Sequence, residues 1–467
     1  MATNPLPTYR NLPALAGVAT LEQAAQPGLG IEEAVARLKC FHYALVRLHE
    51  IFTARLPAEP VYELKTAFSY HAYLCAEHIT ALRTRVGEMR EPPLGLEAIP
   101  HEGLKRFFDE ILAAATTEDL IAGIYGKALP ALEEALARYQ RDTNPLADAP
   151  SCRVIRFLRL ELADMRAFGQ AALESFGVAN PAPHLGAYLD AAGGLDGTQE
   201  PGAVPAPVWS ATPYVYDPVP RRDERFTDPW NQGVNAEAFL YDERFDPRSK
   251  SLMMLFKRLR EIDVPEMMSS IIYQTQGKPW EYYREMTRQL WDEARHAMMG
   301  EVGFVALGID WTKAKVTLNW SHRLNTECTP IERHAVLFFI EQGLMTRTGK
   351  RYEWEVGAAS GLELIKTIQD YDWADEVLHA QIGRRWYITQ FKDLREALEY
   401  GDACWSRITS NWRKVLDEGL TQHENWWPAI YKQACENWGI SPDPQVLHYD
   451  VTYEGRRADL KEVSTPA

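Results

Sequence analysis

No apolar run in this 467-residue chain approaches the roughly 20 residues a bilayer span requires; one of the greasiest stretches, Ala335-Val336-Leu337-Phe338-Phe339-Ile340, is far too short. The first residues, Met1 to Pro7, lack the basic-then-apolar pattern of a secretory signal. Cysteine is sparse and scattered: Cys40, Cys75, Cys152, Cys328, Cys404 and Cys435 form no C-x-x-C pair, so they read as reduced thiols of a cytoplasmic protein. Positive charge is in deficit, with 50 basic against 65 acidic residues and a net charge of −15. That balance argues against a nucleic-acid partner, because no excess of cations is available to neutralise phosphates. Alternating β-branched runs closed by Asn-Gly or Asp-Gly turns are nearly missing. So are the P-loop, the dinucleotide fingerprint, G-x-S-x-G and zinc-finger spacing.

What remains is helical. With 46% apolar and 25% charged residues the chain has an ordinary globular composition, and its length suits two domains or one large domain with additions. The first half is rich in Ala, Leu and Arg and contains no tryptophan before Trp209. Three- and four-residue apolar steps predict helices at about 31–49, 63–89, 104–115, 117–139 and 152–176. Residues 180–248 break the pattern, holding ten of the 29 prolines between 180 and 247 together with many aromatic residues, which predicts a connector packed on a surface. Helical periodicity returns at 251–276, 280–307, 330 to about 356, and 362 to about 391, with further helices at 405–416 and 424–437. The expected organisation is an N-terminal helical domain (1–179), the connector (180–248), a bundle of four long helices (249–395) and C-terminal helices with a tail (396–467), all-α throughout. In the N-terminal part His42 and His49, and His71 and His78, stand seven apart. That trace of a repeat suggests a second, degenerate bundle whose histidines are hydrogen-bonded core groups.

The chemistry concentrates in the second half. Asp292-Glu293-Ala294-Arg295-His296 and Asp375-Glu376-Val377-Leu378-His379 are both D-E-x-x-H, with equivalent residues 83 positions apart. Residues i and i+3 share a helix face, so each motif presents a carboxylate beside an imidazole. Two such pairs plus one glutamate from each of two further helices make the ligand set of a dinuclear carboxylate site. Oxygen and imidazole donors without thiolate suit iron or manganese.

Glu341 is the third carboxylate. It interrupts an apolar helix 35 residues before Glu376, and a turn near Ala359 divides that interval into arms of 18 and 17 residues, which puts the two acids level. Two acids compete for the fourth position. Glu266 continues the stripe of Leu252, Leu255, Leu259 and Ile262, whereas Glu261 has the better interval but lies among Lys257, Arg258 and Arg260. The inward stripe favours Glu266. Asp375 is placed to orient His296, and Asp292 to orient His379, through the second ring nitrogen.

The run Glu266, Asp292-Glu293-x-x-His296, Glu341, Asp375-Glu376-x-x-His379 resembles the ferritin-like di-iron carboxylate superfamily. Locally, Asp-Glu-Ala-Arg-His is similar to the D-E-x-R-H signature of bacterial multicomponent monooxygenase hydroxylases. The resemblance covers about residues 250–390. One turn after Glu341, where those hydroxylases carry threonine, this chain has Met345 with Thr346 beside it. The resemblance implies a ferritin-like four-helix bundle with Glu266, Glu293, His296, Glu341, Glu376 and His379 as ligands of two iron ions, or of a manganese–iron pair. Asp292 and Asp375 would support them, and Glu293, Glu341 and Glu376 would act in catalysis. It further implies an O2-dependent oxidase or oxygenase with a small organic substrate and an external electron donor, in a chain compatible with a homodimer. Peroxidase or ferroxidase activity and a purely metal-stabilised binding protein are the competing expectations. Met286, Leu290, Ala297, Leu337, Ile340 and Leu344 are candidates to line a substrate pocket.

Overall fold

Asp246 begins the metal-motif half of the chain: its carboxylate accepts from the amides of Arg248 and Ser249, and Pro247 occupies the first helical position, where no amide is needed. In a computed structural model, which describes residues 8–90, 95–345, 349–409 and 412–453, every regular element among the described residues is helical. The first helices are α1 (Ile31–Arg55), α2 (Tyr62–Glu88), α3 (Glu102–Leu112), α4 (Thr117–Gly123), α5 (Leu129–Asp142), α6 (Ala149–Ser175) and α7 (Leu185–Ala191). A π-helical turn, Ile124–Ala128, joins α4 to α5. After the connector come α8 (Pro247–Arg260), α9 (Asp263–Gln274), α10 (Trp280–Ala306), α11 (Asn319–Glu327), α12 (Pro330–Leu344), α13 (Lys350–Ala359), α14 (Glu363–Trp386), α15 (Leu394–Thr409) and α16 (Trp427–Trp438).

The chain divides into two compact units, Met1–Phe52 with His71–Tyr216, and Thr53–Tyr70 with Asp217–Ala467. The expected 1–179 domain thus gives up Thr53–Tyr70 to the second unit, the connector divides at Tyr216–Asp217, and the C-terminal helices share the second unit's core. The reason is packing. Phe226, Phe239 and Phe245 from the connector, and Trp426, Trp427, Ile430 and Tyr431 near or within α16, enter one apolar cluster with Leu252, Phe256 and Leu259 of α8. Within the first unit, Glu110 of α3 anchors the earlier part of the connector by accepting from the amides of Val208 (3.0 Å), Trp209 (2.5 Å) and Ser210 (3.1 Å) and from the Ser210 hydroxyl. The repeated histidines of that unit are buried: His71 Nδ1 lies 2.9 Å from the Tyr125 hydroxyl and His78 Nε2 lies 2.6 Å from Glu161.

In the second unit α10 packs against α8, α9 and α14; α14 packs against α12 and α13; α9 meets α12, and α8 meets α13. These contacts close a ring around one interior. Glycine sets the closest approach: a Cβ on Gly300 of α10 would sit 2.3 Å from the Leu259 amide nitrogen of α8, so only glycine lets the two backbones touch. Two of the four long helices expected here are interrupted. Pro265 cannot donate to the Glu261 carbonyl, and the chain tightens there into i→i+3 bonds (Glu261 to Arg258, Val264 to Glu261) before α9 resumes. The helix expected from 330 to about 356 ends at Leu344, capped by Met345, and restarts at Lys350; Thr346 lies outside the described residues, as do Met1 to Pro7. No helix among the described residues is long and apolar enough to cross a membrane.

Candidate metal centre

α10 and α14 bring their two E-x-x-H pairs face to face. The rings of His296 and His379 lie 5.9 Å apart, and both are fully buried. Each ring directs Nδ1 toward carboxylates. His379 Nδ1 stands 3.1 Å from Glu293 Oε1, 3.6 Å from Glu376 Oε2 and 3.9 Å from Glu341 Oε1. His296 Nδ1 stands 3.4 Å from Glu261 Oε2, 3.6 Å from Asp372 Oδ1 and 3.7 Å from Glu293 Oε2. Two groups that can hold a cation result, Glu293–Glu341–Glu376–His379 and Glu261–His296–Asp372–Glu376, each with its ligand atoms within 4.8 Å of one another. They share Glu376, and Glu293 touches both rings.

The opposite ring nitrogens meet the two aspartates, crosswise between the helices. His296 Nε2 is 3.1 Å from Asp375 Oδ2, and His379 Nε2 is 3.4 Å from Asp292 Oδ2. Arg295 bonds both aspartates at 2.6 Å, and Arg288 holds Asp292. This arrangement fixes both ring orientations and leaves Nδ1 as the ligand atom. Asp375→Asn should therefore weaken cation binding about 10- to 100-fold while the helices stay folded, as read by metal titration beside circular dichroism.

Glu266 is the correction. The structure gives the α8–α9 position to Glu261 and puts Glu266 in a separate buried ion cluster, with Lys65 Nζ at 2.6 Å, Arg222 Nη2 at 3.0 Å and the Ser321 hydroxyl at 2.8 Å. The stripe through Leu252, Leu255, Leu259 and Ile262 points to Glu266 only if one helix runs unbroken. The turn before Pro265 changes the phase, so Glu261 at the end of α8 faces His296 while Glu266 turns toward Arg222 of the connector. Three further polar groups went unread. Asp372 lies four residues before Glu376, on the same helix face, a spacing that was there to find. Gln289, seven residues before His296, donates to Glu341 at 3.2 Å. Lys350 has no local signal, since it enters from α13 after the interruption.

Burial and neighbouring charge set the proton inventory. Burial alone would lower His296, but bonds to Asp375, Glu261 and Glu293 push it up to about 10, and His379 rises in the same direction against burial through Asp292, Glu293 and Glu376. Glu341 is raised by burial and by the neighbouring Glu376 charge, whereas Lys350 and the bond from Glu341 hold Glu376 low despite its burial. At neutral pH both rings of the ion-free centre thus carry a proton that a cation must expel. Binding should release a proton from each ring, and one from Glu341 as well, near pH 7. Affinity should rise about tenfold per pH unit for each ring and flatten for His296 only near pH 10. Calorimetry in buffers of different ionisation enthalpy measures this directly.

A cavity of about 110 Å³ opens beside the carboxylates. Glu261, Glu293, Glu341 and Glu376 border it, Arg260, Asp263 and Ser321 add further polar groups, and the rest of the wall is apolar, with Leu337, Ile340 and Leu344 nearest Glu341 in sequence. Of the expected lining residues Leu337, Ile340 and Leu344 are there; Met286, Leu290 and Ala297 are plain buried core. The chain matches no family model, curated protein or solved structure.

Proposed function

We propose that the chain is an O2-dependent di-iron oxidase or oxygenase of the ferritin-like type, acting on a small organic substrate. One observation carries the reading. Glu261 Oε2, Glu293 Oε1, His296 Nδ1, Glu341 Oε2, Glu376 Oε2 and His379 Nδ1 are all buried and turn into one place, where the polar neighbours they meet at 3.1–3.9 Å are chiefly other members of the same set. Four buried carboxylates and two imidazoles converging on one another are costly without a counter-charge, and a cation between them relieves that cost. Carboxylate and imidazole donors without thiolate fit ferrous or manganous ions.

A ferrous pair held by these residues supplies electrons for the reduction of O2. The chain's contribution is placement. Glu376 and Glu293 reach both halves, Glu261 and Glu341 close the two ends, and Leu337, Ile340 and Leu344 put apolar surface beside the carboxylate face. A molecule seated against Leu337 and Ile340 lies directly beside Glu341. The cavity is somewhat smaller than the roughly 150 Å³ that accommodates a benzene ring, which suits a small organic molecule.

The test is anaerobic reconstitution with two ferrous equivalents, followed by O2 and Mössbauer spectroscopy. Rapid oxidation of a coupled iron pair supports the proposal, and ferrous ions that persist in air refute it. Ile340→Trp should leave metal uptake intact but block small apolar ligands from the cavity.

A further inference from the structure

The two halves of the centre differ in one respect that chemistry cannot ignore: one already contains cations. Lys350 Nζ lies 2.9 and 3.0 Å from the two oxygens of Asp372 and 2.8 Å from Glu376 Oε1. Arg258 pairs with the same Asp372 and, at 2.8 Å, with Glu261 Oε1. Lys350 is 0% and Arg258 1% exposed. Both serve the His296 half. Around His379, Glu293 and Glu376 meet the ring, Glu341 meets Glu376 and the neutral amide of Gln289, and Arg258 acts on Glu293 and Glu376 only through space, without an ion pair to either.

Glu376 makes the asymmetry mechanical. Its Oε2 faces His379 at 3.6 Å, while its Oε1 is held by Lys350 at 2.8 Å. A first ion can take Oε2, Glu293, Glu341 and His379 with Lys350 left in place. A second ion beside His296 needs Asp372 and the far side of Glu376, and it meets the ammonium at close range.

We infer that Lys350 makes the centre fill in two unequal steps, the His379 half first and tightly, the His296 half second and only as Lys350 gives up Asp372 and Glu376. The inference rests on the reading of the six converging groups as a cation site. Like charges a few ångströms apart in a buried site make the second step about 100-fold weaker or more. Lys350 is a positioning residue here, and it acts through Glu376.

Manganous ion is the probe, titrated into the full chain without O2 and followed by calorimetry and by electron paramagnetic resonance. The expected result is an isolated six-line signal up to one equivalent, with a spin-coupled signal appearing only during a second, weaker step. His296→Ala should erase the weak step and keep the tight one, and His379→Ala should erase the tight one. Lys350→Met should strengthen the second step about 10-fold or more and leave the first within a few-fold. Coupled signal from the first addition, or a second step unchanged in Lys350→Met, overturns the inference while leaving the dinuclear site standing. Failure of the wild-type chain to bind manganese overturns both. If Lys350→Met does not fold, the two histidine variants decide: loss of the tight step in His296→Ala refutes the order.

Discussion

Glu376→Ala empties both halves of the centre. This carboxylate belongs to each of the two cation-holding groups, so its removal leaves Glu293, Glu341 and His379 on one side, Glu261, His296 and Asp372 on the other, and Glu293 alone facing both rings. Losing an outer partner of a metal ligand already costs about 10- to 100-fold in affinity, and losing a shared ligand costs more than that at both positions. The fold should persist, because Lys350 keeps Asp372 as its ion-pair partner and one member of a mutually repelling set of carboxylates is gone. Glu261→Ala provides the contrast, since it touches only the His296 half. Elemental analysis after dialysis against ferrous or manganous ion separates the outcomes. Two equivalents retained by Glu376→Ala would remove the basis for a shared ligand.

Glu266→Ala shifts stability and leaves cation binding alone. Glu266 is 0% exposed and is held by Lys65 and Arg222, both themselves buried. Deleting the carboxylate leaves Lys65 without its buried counter-ion and Arg222 with Asp263 alone at 3.3 Å, which costs about 3 kcal/mol. The pH dependence follows. Burial alone would raise Glu266, but Arg222 and Lys65 bring it down to about 2, so its contribution is fully present above the ordinary carboxylate range and fades as pH falls toward 2. Denaturant unfolding of wild type and variant at pH 7 measures the difference, and a metal titration of the variant at low denaturant shows the unchanged stoichiometry. A variant of native stability that has lost one ion would return Glu266 to the centre.

These two acids also mark the limit of reading in one dimension. The E-x-x-H pairs were visible because both partners sit on one uninterrupted helix, where a separation of three is a fixed geometry. Their aspartates were assigned to the opposite histidines for the same reason: two facing helices at one level leave little choice. Glu341 was placed by counting along two arms from a turn, and it reaches Glu376 although its own arm breaks after Leu344. The choice between Glu261 and Glu266 failed because it extended one helical phase through Pro265, where a missing amide resets the phase. The proline itself was in plain sight, but the direction in which the chain resumes depends on what Arg222 and Lys65 offer on the other side.

The sequence by itself determined the all-helical character, the two carboxylate–imidazole faces and the apolar setting of Glu341, since each depends on periodicity within one segment. Tertiary structure alone decided which acid completes the set, where the chain divides into units, and that Lys350 and Arg258 enter the same interior. Those outcomes depend on contacts between segments tens to hundreds of residues apart, and their energies come from burial and charge pairing that no local spacing records.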